Sequence, residues 1–456
     1  METAKVMGRR EFIWLATKLA IPIMIQNLIS TLVNMSDTVM LGYVSQTAMS
    51  ASSLANNFTF VLFCLYFGMS AATSVLCAQY WGKGDKTTVE KIVGLAFKLS
   101  VVTSVLFFAV SFFGARYVMY IFSDNPETIE LGIKYLRVVS CTYLFMGISQ
   151  VYTSALRSVG KVVFPSVTCV VSLIVNVFLN ATFIFGWFGM PKLGIIGVAL
   201  GTVTARVVEA VMSIMYSLIK GDVRIRIKYI FGKSGVLFKD FLKIGLPAVA
   251  NDVVWGLAAS AFAAILGHIG DDMVAANAVA VMVVNVGAIA CRGFANATTI
   301  VISTELGKNN IEQAKIYGGR MLRLTIAVSL IGGVVMLIIR PFMIQYYSDK
   351  LTETALSYLG TIMIMTIWRL VGEGINTCLI CGCFRGGGDS KYGMIMDTVY
   401  MWGVAVPLMA LAAFVFKLHP LWVYFIMSMD EFGKMPFVFH HYLKFKWMKN
   451  ITRDNL

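Results

Sequence analysis

Long apolar runs recur along this chain and restrict the folds that it can adopt. The first is "FIWLATKLAIPIMIQNLISTLV", and stretches of similar character follow it. About 20 apolar residues are enough to cross the hydrocarbon core of a bilayer. Inside that core each backbone N–H and C=O must be paired within its own segment, and long runs without alternation exclude a β-barrel. The runs therefore predict an all-α polytopic membrane protein.

The spacing of the runs predicts twelve transmembrane helices. Hydrophobic residues make up 58% of the 456 residues and charged residues only 14%, as a polytopic membrane protein requires. The start, "METAKVMGRREF", is basic and leads into a run too long for a signal-peptide core, so we expect an uncleaved first span. The predicted spans are 13–40, 49–79, 90–113, 132–155, 163–186, 194–219, 241–268, 276–304, 318–340, 355–383, 393–416 and 419–440.

Lys and Arg are distributed unequally between alternate loops. In the predicted topology, 26 of them lie on the side that holds the N-terminus and 6 on the other side. Cytoplasmic loops carry the excess of basic residues, so both termini are predicted to be cytoplasmic and the protein to be multi-pass in the plasma or inner membrane. The same spread accounts for the net charge of +14 without a nucleic-acid partner.

The chain also repeats itself at a fixed distance. "KLAIP", which ends at Pro22, returns as "KIGLP", which ends at Pro247, and "QYWGKGD" returns as "TELGKNN" at the same offset of 225. Six spans per half is an even number, so the halves are parallel repeats (6+6) that form two lobes around a central cavity. The predicted domains are an N-terminal lobe 1–219, a cytoplasmic linker 220–239, a C-terminal lobe 240–442 and a basic cytoplasmic tail 443–456.

Ionisable residues inside apolar spans are costly and indicate function by default. Asp37 stands in "NMSDTVMLG", fifteen residues beyond Pro22, which is about 22 Å along a helix. In a partly dry cavity its carboxylate can exchange a proton, or a monovalent cation can occupy it. The alternative is an aspartate just past the end of the helix, wetted by the outer loop. The sequence leaves both interpretations open.

Two further acidic residues lie in predicted spans of the second half. Asp252 is near the middle of span seven, where it is a candidate functional residue or forms a structural pair with Arg292 of span eight. Glu373 follows Arg369 by four positions, so the two share a helix face and can form an internal ion pair. For both acids, the sequence leaves open whether the role is functional or structural.

Other polar residues in the spans allow narrower predictions. Arg206 and Glu209 are three positions apart, which favours a structural pair. Asp397 lies five residues into span eleven, near the cytoplasmic surface, where we expect it to be hydrated.

Span five and span six offer uncharged polar side chains. Asn176 and Asn180 are four apart and lie on one helix face, and Thr202 and Thr204 are placed to join them. Such side chains join neighbouring helices, or present oxygen atoms to an ion or substrate.

No pattern for catalysis or for a cofactor stands out. "CLICGC", from Cys378 to Cys383, has no nearby histidine and lies in a predicted span, which does not favour a metal site. "FRGGGDSKYG" lacks the ending of a phosphate-binding loop and is predicted to be a tight turn. The chain is therefore expected not to be an enzyme and to have no cofactor. With no nucleotide site, an ion gradient of H+ or Na+ would drive transport.

Several motifs in this order resemble one family of transporters. They are "SDTVMLGYV", "AQYWGKGD", "ALRSVGK", "NVFLNATFIFGWFGMPKLGIIGVALGT" and "FRGGGDSKYG", set in a 6+6 repeat. Together they are similar to the multidrug and toxic compound extrusion (MATE) family of secondary antiporters. The resemblance implies V-shaped alternating access. It also implies export of amphipathic, often cationic compounds and drugs against inward proton or sodium flow.

The resemblance also assigns roles to residues. It places Asp37 at the first-span carboxylate used for coupling and Thr202 at the sixth-span wall, with Asn176 and Asn180 at the fifth-span polar positions. Some members have Asp where Asn180 stands, and others have an acid about one turn after Asp252, where this chain has Trp255.

The predicted site follows from the residues and the resemblance together. The predicted ion-coupling residues are Asp37, Asp252 and Glu373, and the predicted cavity residues for substrate or cation are Asn34, Asn176, Asn180, Thr202 and Arg292. No metal is expected beyond a monovalent cation at Asp37. The predicted partners are small organic substrates, mainly cationic, and the lipid bilayer, with no nucleic acid and a monomeric chain.

Two other functions are weighed against this one. A flippase of lipid-linked sugars, known in the same superfamily, needs a strongly cationic cavity that can hold pyrophosphate. The candidates for such a cavity are Arg206, Arg292 and Arg369, each of which has a potential acidic partner. A membrane-embedded enzyme needs converging catalytic groups, which the sequence does not offer.

Overall fold

The computed structural model describes residues 7–219, 221, 223–232 and 235–454, and nearly all of them are helical. Lys5, Lys220 and Lys233, which belong to the basic residues counted on the side of the N-terminus, fall outside these residues. The helices of the first half are α1 (Arg9–Gly42), α2 (Gln46–Lys83), α3 (Lys86–Phe113), α4 (Ala115–Phe122), α5 (Pro126–Ser158), α6 (Val163–Phe185), α7 (Ile195–Ile219) and α8 (Ile227–Ile230).

The second half begins with four long helices and ends in shorter ones. The long helices are α9 (Gly235–Ile269), α10 (Asp271–Gly307), α11 (Ile311–Tyr347) and α12 (Glu353–Thr377). The shorter ones are α13 (Ser390–Tyr400), α14 (Val406–Ala410), α15 (Pro420–Ser428), α16 (Asp430–Gly433) and α17 (Met435–Leu443). Three π-helical segments, Cys378–Phe384, Met401–Ala405 and Leu411–Val415, continue α12, α13 and α14, and Trp187–Gly189 is a short 3-10 turn.

The prediction of an all-α membrane fold is confirmed, with one difference in the last span. Among the described residues, eleven helical stretches are long and apolar enough to cross a bilayer. The twelfth predicted span, 419–440, is divided into α15, α16 and α17, with Met429 and Lys434 between them. Asp430, Glu431 and Lys434 interrupt its apolar character. Interrupted helices occur at membrane depth where the backbone is enclosed by protein rather than by lipid.

Short turns join the long helices, and the residues of the turns explain where the helices end. Gly84 has a φ of +87°, a left-handed conformation that suits glycine, and it ends α2. Asp85 follows at once and accepts a hydrogen bond from the Thr88 N–H at 3.0 Å, which caps α3. The motif "GKGD" therefore ends α2 and begins α3.

The described residues form two compact units that do not follow chain order strictly. One contains the chain up to Met24 together with Leu246–Thr452, and the other contains Ile25–Gly245 with Arg453 and Asp454. The division thus cuts α1 and α9, each of which has an internal proline, Pro22 or Pro247, close to the cut. The predicted domains, of which the first is 1–219, are drawn from the sequence repeat and stay a prediction.

Each unit has its own core. In the unit of Ile25–Gly245, α2 and α5 pack closely, and buried hydroxyl groups join the helices. Tyr66 Oη lies 2.6 Å from Ser104 Oγ, and Thr59 Oγ1 lies 2.8 Å from Tyr143 Oη. Such bonds between membrane helices contribute about 0.6 kcal/mol each on average. The core of the other unit joins α9, α10, α12, α14 and α15.

Candidate functional site

Asp37 is the first residue of a polar chain that links three helices of one unit. Its Oδ1 accepts a hydrogen bond from Nδ2 of Asn180 in α6 at 2.6 Å. The same amide lies 3.4 Å from Oδ1 of Asn176, one turn earlier in α6. Asn176 in turn donates to Oγ1 of Thr202 in α7 at 3.3 Å. The structure therefore brings together four of the residues that the sequence selects.

Asp37 lies inside α1 and not beyond it. The helix continues to Gly42, so the alternative of an aspartate past the helix end is wrong. The residue is half-buried, while Asn176 and Asn180 are fully buried. A carboxylate in this position is held by buried amides and is still partly accessible.

Two residues predicted near this cluster do not join it. Thr204 is exposed and its hydroxyl donates to the Leu200 carbonyl of its own helix. Asn34 is also exposed and takes no part in the hydrogen bonds that link Asp37 to Asn180. Thr202 and Thr204 are two residues apart, which corresponds to nearly opposite faces of a helix.

The nearest strong positive charge is already neutralised. Nη1 of Arg206 lies 2.7 Å from Oε2 of Glu209, so the predicted structural pair is present. Arg206 acts on Asp37 only through the electrostatic field, and within the described part of the chain no ion pair involves Asp37. The carboxylate is therefore free to change its charge without breaking a salt bridge.

A small cavity lies beside this cluster. It has about 310 Å³ of empty space, a figure that includes open solvent at its mouth, and it is bordered by residues of α1, α6 and α7. Its polar wall includes Asn176, Thr202, Arg206 and Glu209. Together with Asp37, this wall is the candidate functional site of the N-terminal half.

Gly201 provides a way to disturb this site without touching a polar atom. A methyl group at Gly201 would overlap Oδ1 of Asn180, so the amide that holds Asp37 would have to shift. We expect Gly201→Ala to lower transport about tenfold or more, because misplacement by about 1 Å can have an effect of that order. Initial transport rates in vesicles measure this. Gly267→Ala is the control because a methyl group there meets nothing within 4 Å, and equal loss in both variants would contradict the prediction.

A second buried polar cluster lies in the other unit, and the sequence analysis missed it. Lys434 Nζ lies 3.1 Å from Oδ1 of Asp397 and 3.2 Å from Oε2 of Glu431. The side chains of all three residues are at most 4% exposed. The expectation that Asp397 is hydrated is therefore wrong. Asp397 lies near the start of α13, and nothing in the sequence indicates that the side chain of Lys434 would lie against it.

Amides and an indole complete this cluster. Nδ2 of Asn251 donates to Oδ2 of Asp397 at 2.8 Å, and Nε1 of Trp255 lies 3.4 Å from the same oxygen. Nδ2 of Asn376 donates to Oε2 of Glu431 at 2.7 Å. The signal in the sequence was "MDEFGK", two acids and a lysine inside an otherwise apolar predicted span.

The predicted ion pairs around Asp252 and Glu373 are not present among the described residues. Oδ2 of Asp252 is buried without a hydrogen-bond partner, and Arg292, which is exposed, acts on it only at longer range. The charge of Arg369 acts on Glu373 at a distance, but no ion pair joins the two side chains in the part of the chain that the structure describes. Side chains four apart on a helix can meet, but they need not do so.

The remaining motifs are structural in the described residues. In residues 7–219, 221, 223–232 and 235–454, no group of three or more His, Cys, Asp or Glu side chains is arranged to hold a metal ion. The glycines after Arg385 form a turn, with Gly388 at a φ of +79°. A methyl group at Gly387 would overlap the Trp447 carbonyl, so the close approach of the backbone requires glycine there.

The comparison with known families decides the classification. The family model for MatE matches residues 22–182 and 249–411, one segment in each half and together more than half of the chain. The chain belongs to the MatE family. The resemblance and the two parallel repeats of the fold class are thereby confirmed, and the family is one of transporters.

Curated relatives and solved structures agree with the MatE assignment. The chain is 24% identical to "Probable multidrug resistance protein YoeA" of Bacillus subtilis (strain 168), over 95% of this chain and 94% of that protein. It is 25% identical to "Probable multidrug resistance protein NorM" of Thermotoga maritima, over 96% and 94%. The fold matches a structure of "MATE in complex with MaD3S" with a TM-score of 0.85 at 20% identity, over 95% of this chain and 96% of that chain.

Proposed function

We propose that this MatE protein is a cation-coupled antiporter that exports amphipathic or cationic organic compounds by alternating access. The observation that carries the proposal is Asp37, which is half-buried, hydrogen-bonded to Asn180 and outside any ion pair in the described residues. The relatives from Bacillus subtilis and Thermotoga maritima, both named as probable multidrug resistance proteins, support the choice of cargo.

Asn180 can respond to the charge state of Asp37. The amide presents its N–H group to the charged carboxylate at 2.6 Å, while its own Oδ1 is buried without a partner among the described residues. An amide carries donors and an acceptor, so rotation would let Oδ1 accept a hydrogen bond from the O–H of the neutral acid. Binding of H+ or Na+ at Asp37 thus changes the hydrogen bonds between α1 and α6.

Such a change is what coupling requires. An ion shifts a conformational equilibrium only if it binds the two conformations with different affinity. Occupancy of Asp37 would favour one arrangement of α1, α6 and α7, and the cargo would favour the other. The coupling ion is H+ or Na+, and no other cofactor is required.

Asp252 and Glu373 are proposed as a second ion-binding step in the other unit. Both are half-buried, and an oxygen of Asp252 lacks a hydrogen-bond partner among the described residues. Asn34 and Arg292, which are both exposed, stay predicted contacts for the substrate. We also propose a monomer in the plasma or inner membrane with both termini in the cytoplasm.

The flippase of lipid-linked sugars is less well supported. A pyrophosphate group needs cationic side chains that are available to it. Arg206 is the arginine that borders the described cavity, and Glu209 neutralises it at 2.7 Å.

Purified protein in liposomes tests the proposed function. A fluorescent organic cation serves as cargo, and a proton gradient and a sodium gradient are imposed in separate experiments. We expect at least one gradient to drive the cargo in the direction opposite to the ion. Equal cargo movement with and without each gradient would contradict coupled antiport, and protein-free liposomes give the background.

A further inference from the structure

In the buried cluster around Lys434, two carboxylate oxygens contact one ammonium group. Lys434 is 1% exposed, and its Nζ lies between carboxylate oxygens of Asp397 and Glu431, at 3.1 and 3.2 Å. The face of the Trp255 ring lies on another side, with its centroid 5.3 Å from Nζ. An ammonium is a compact charge that favours both oxygen ligands and aromatic faces.

Two buried oxygen atoms in this region accept no hydrogen bond from the described residues. Oδ1 of Asp430 and Oδ1 of Asn376 have no hydrogen-bond partner among the described residues, although both residues are at most 5% exposed. Buried oxygens without a donor are rare in proteins. Carboxylate and amide oxygens are the ligands that hard cations take. Two buried oxygens of residues next to Glu431 are therefore left without a donor in the described part of the chain, and a cation is the kind of group that such oxygens bind.

The charges around Lys434 come from several helices. Asp430 and Glu431 of α16 and Asp397 of α13 act on it electrostatically. Arg369 of α12 acts on Asp430, Glu431 and Glu373 from a greater distance. Two carboxylates, those of Asp397 and Glu431, therefore contact the ammonium directly, and Asp430 acts on it electrostatically.

We propose that Lys434 is a tethered cation that determines the ion selectivity of this unit. Its ammonium occupies the position at which the carboxylate oxygens of Asp397 and Glu431 would otherwise bind a free monovalent cation. The side chain is covalently attached, so its charge is always present at high effective concentration. A sodium ion would have to displace it, and the cluster is closed to sodium while Lys434 is in place.

This inference deepens the proposed function and rests on it in one respect, namely that the excluded ion is a coupling ion. If the cluster excludes sodium, ion exchange at Asp37 carries the coupling, unless Asp252 supplies a second step. The exclusion itself is a property of binding and can be measured without transport.

Sodium binding to purified variants tests the inference. All proteins carry Asp37→Asn so that the N-terminal site does not contribute. Melting temperatures are measured in sodium chloride and in choline chloride at equal ionic strength. We expect no sodium-specific change with Lys434 present, and a saturable rise of about 2–4 °C in Lys434→Met, because a bound ion stabilises the folded state.

Two controls separate this effect from others. Lys434→Arg keeps the charge and should show no sodium-specific rise. Adding Asp397→Asn to Lys434→Met should remove the rise, which assigns it to the cluster and not to Asp252. Folded, monodisperse Lys434→Met without a sodium-specific rise would overturn the inference.

A second measurement does not depend on the folding of Lys434→Met. Radiolabelled sodium is added to the protein with Lys434 in place and Asp37→Asn as background, and no binding that depends on Asp397 is expected. Sodium binding that Asp397→Asn abolishes would overturn the inference. If sodium binding follows these expectations but no gradient drives transport, the proposed function is overturned and this inference remains intact.

Discussion

Replacing Asp37 with Asn is expected to abolish gradient-driven efflux while the protein still folds and reaches the membrane. Asn has nearly the same shape as Asp but cannot change its charge or bind a cation in the same way. Coupling between ion and cargo typically amounts to about 5- to 150-fold in affinity, and Asp37→Asn should remove it. The measurement is the initial rate of cargo accumulation in inverted membrane vesicles under an imposed gradient.

Two variants make the result of Asp37→Asn specific. Asp124→Asn removes the same charge from an exposed position in the same unit and should transport as the wild type does. Asp37→Glu keeps a carboxylate but lengthens the side chain, so part of the activity should remain. Wild-type rates in vesicles from the Asn variant, at equal protein level, would end the proposed role of Asp37.

Most of the N-terminal site could be predicted from sequence because its parts are local. Asn176 and Asn180 share a face through helical spacing, and Asp37 stood out in an apolar run. The distance between α1 and α6 could not be predicted. Helical spacing indicates that Thr202 and Thr204 do not both join the cluster, but not which of the two does. Whether a side chain on α7 faces α6 depends on how the helices pack, which hydropathy does not encode.

The cluster around Lys434 was missed because its residues are far apart in the sequence. Asp397 and Lys434 belong to different predicted spans, and nothing within either segment indicates that the two side chains meet. Near the start of an apolar run an acid is ordinarily hydrated, so the burial of Asp397 follows only from the tertiary packing. The grouping of residues up to Met24 with Leu246–Thr452 is equally invisible to the repeat, which follows chain order.

The second large effect is expected on stability, when Lys434 is replaced by Met. The change leaves the carboxylates of Asp397 and Glu431 buried without their cation. Breaking a buried ion pair in this way costs about 3–5 kcal/mol, because the remaining charge is uncompensated. Asp397→Asn should cost less, since Glu431 still neutralises Lys434 at 3.2 Å. The melting midpoint in choline chloride, at one scan rate, gives the order of the variants.

The double variant Asp397→Asn with Lys434→Met shows whether the two residues act as a pair. If they do, the double variant should be less destabilised than the sum of the single variants, with a coupling of about 0.5–3 kcal/mol. Asp349→Asn is the matched control because Asp349 is exposed and lies in the same unit as Lys434. Its effect should simply add to that of Lys434→Met. Additive behaviour for Asp397 as well would mean that the ammonium contributes through Glu431 alone, and the tethered cation would then lose one of its two carboxylate ligands.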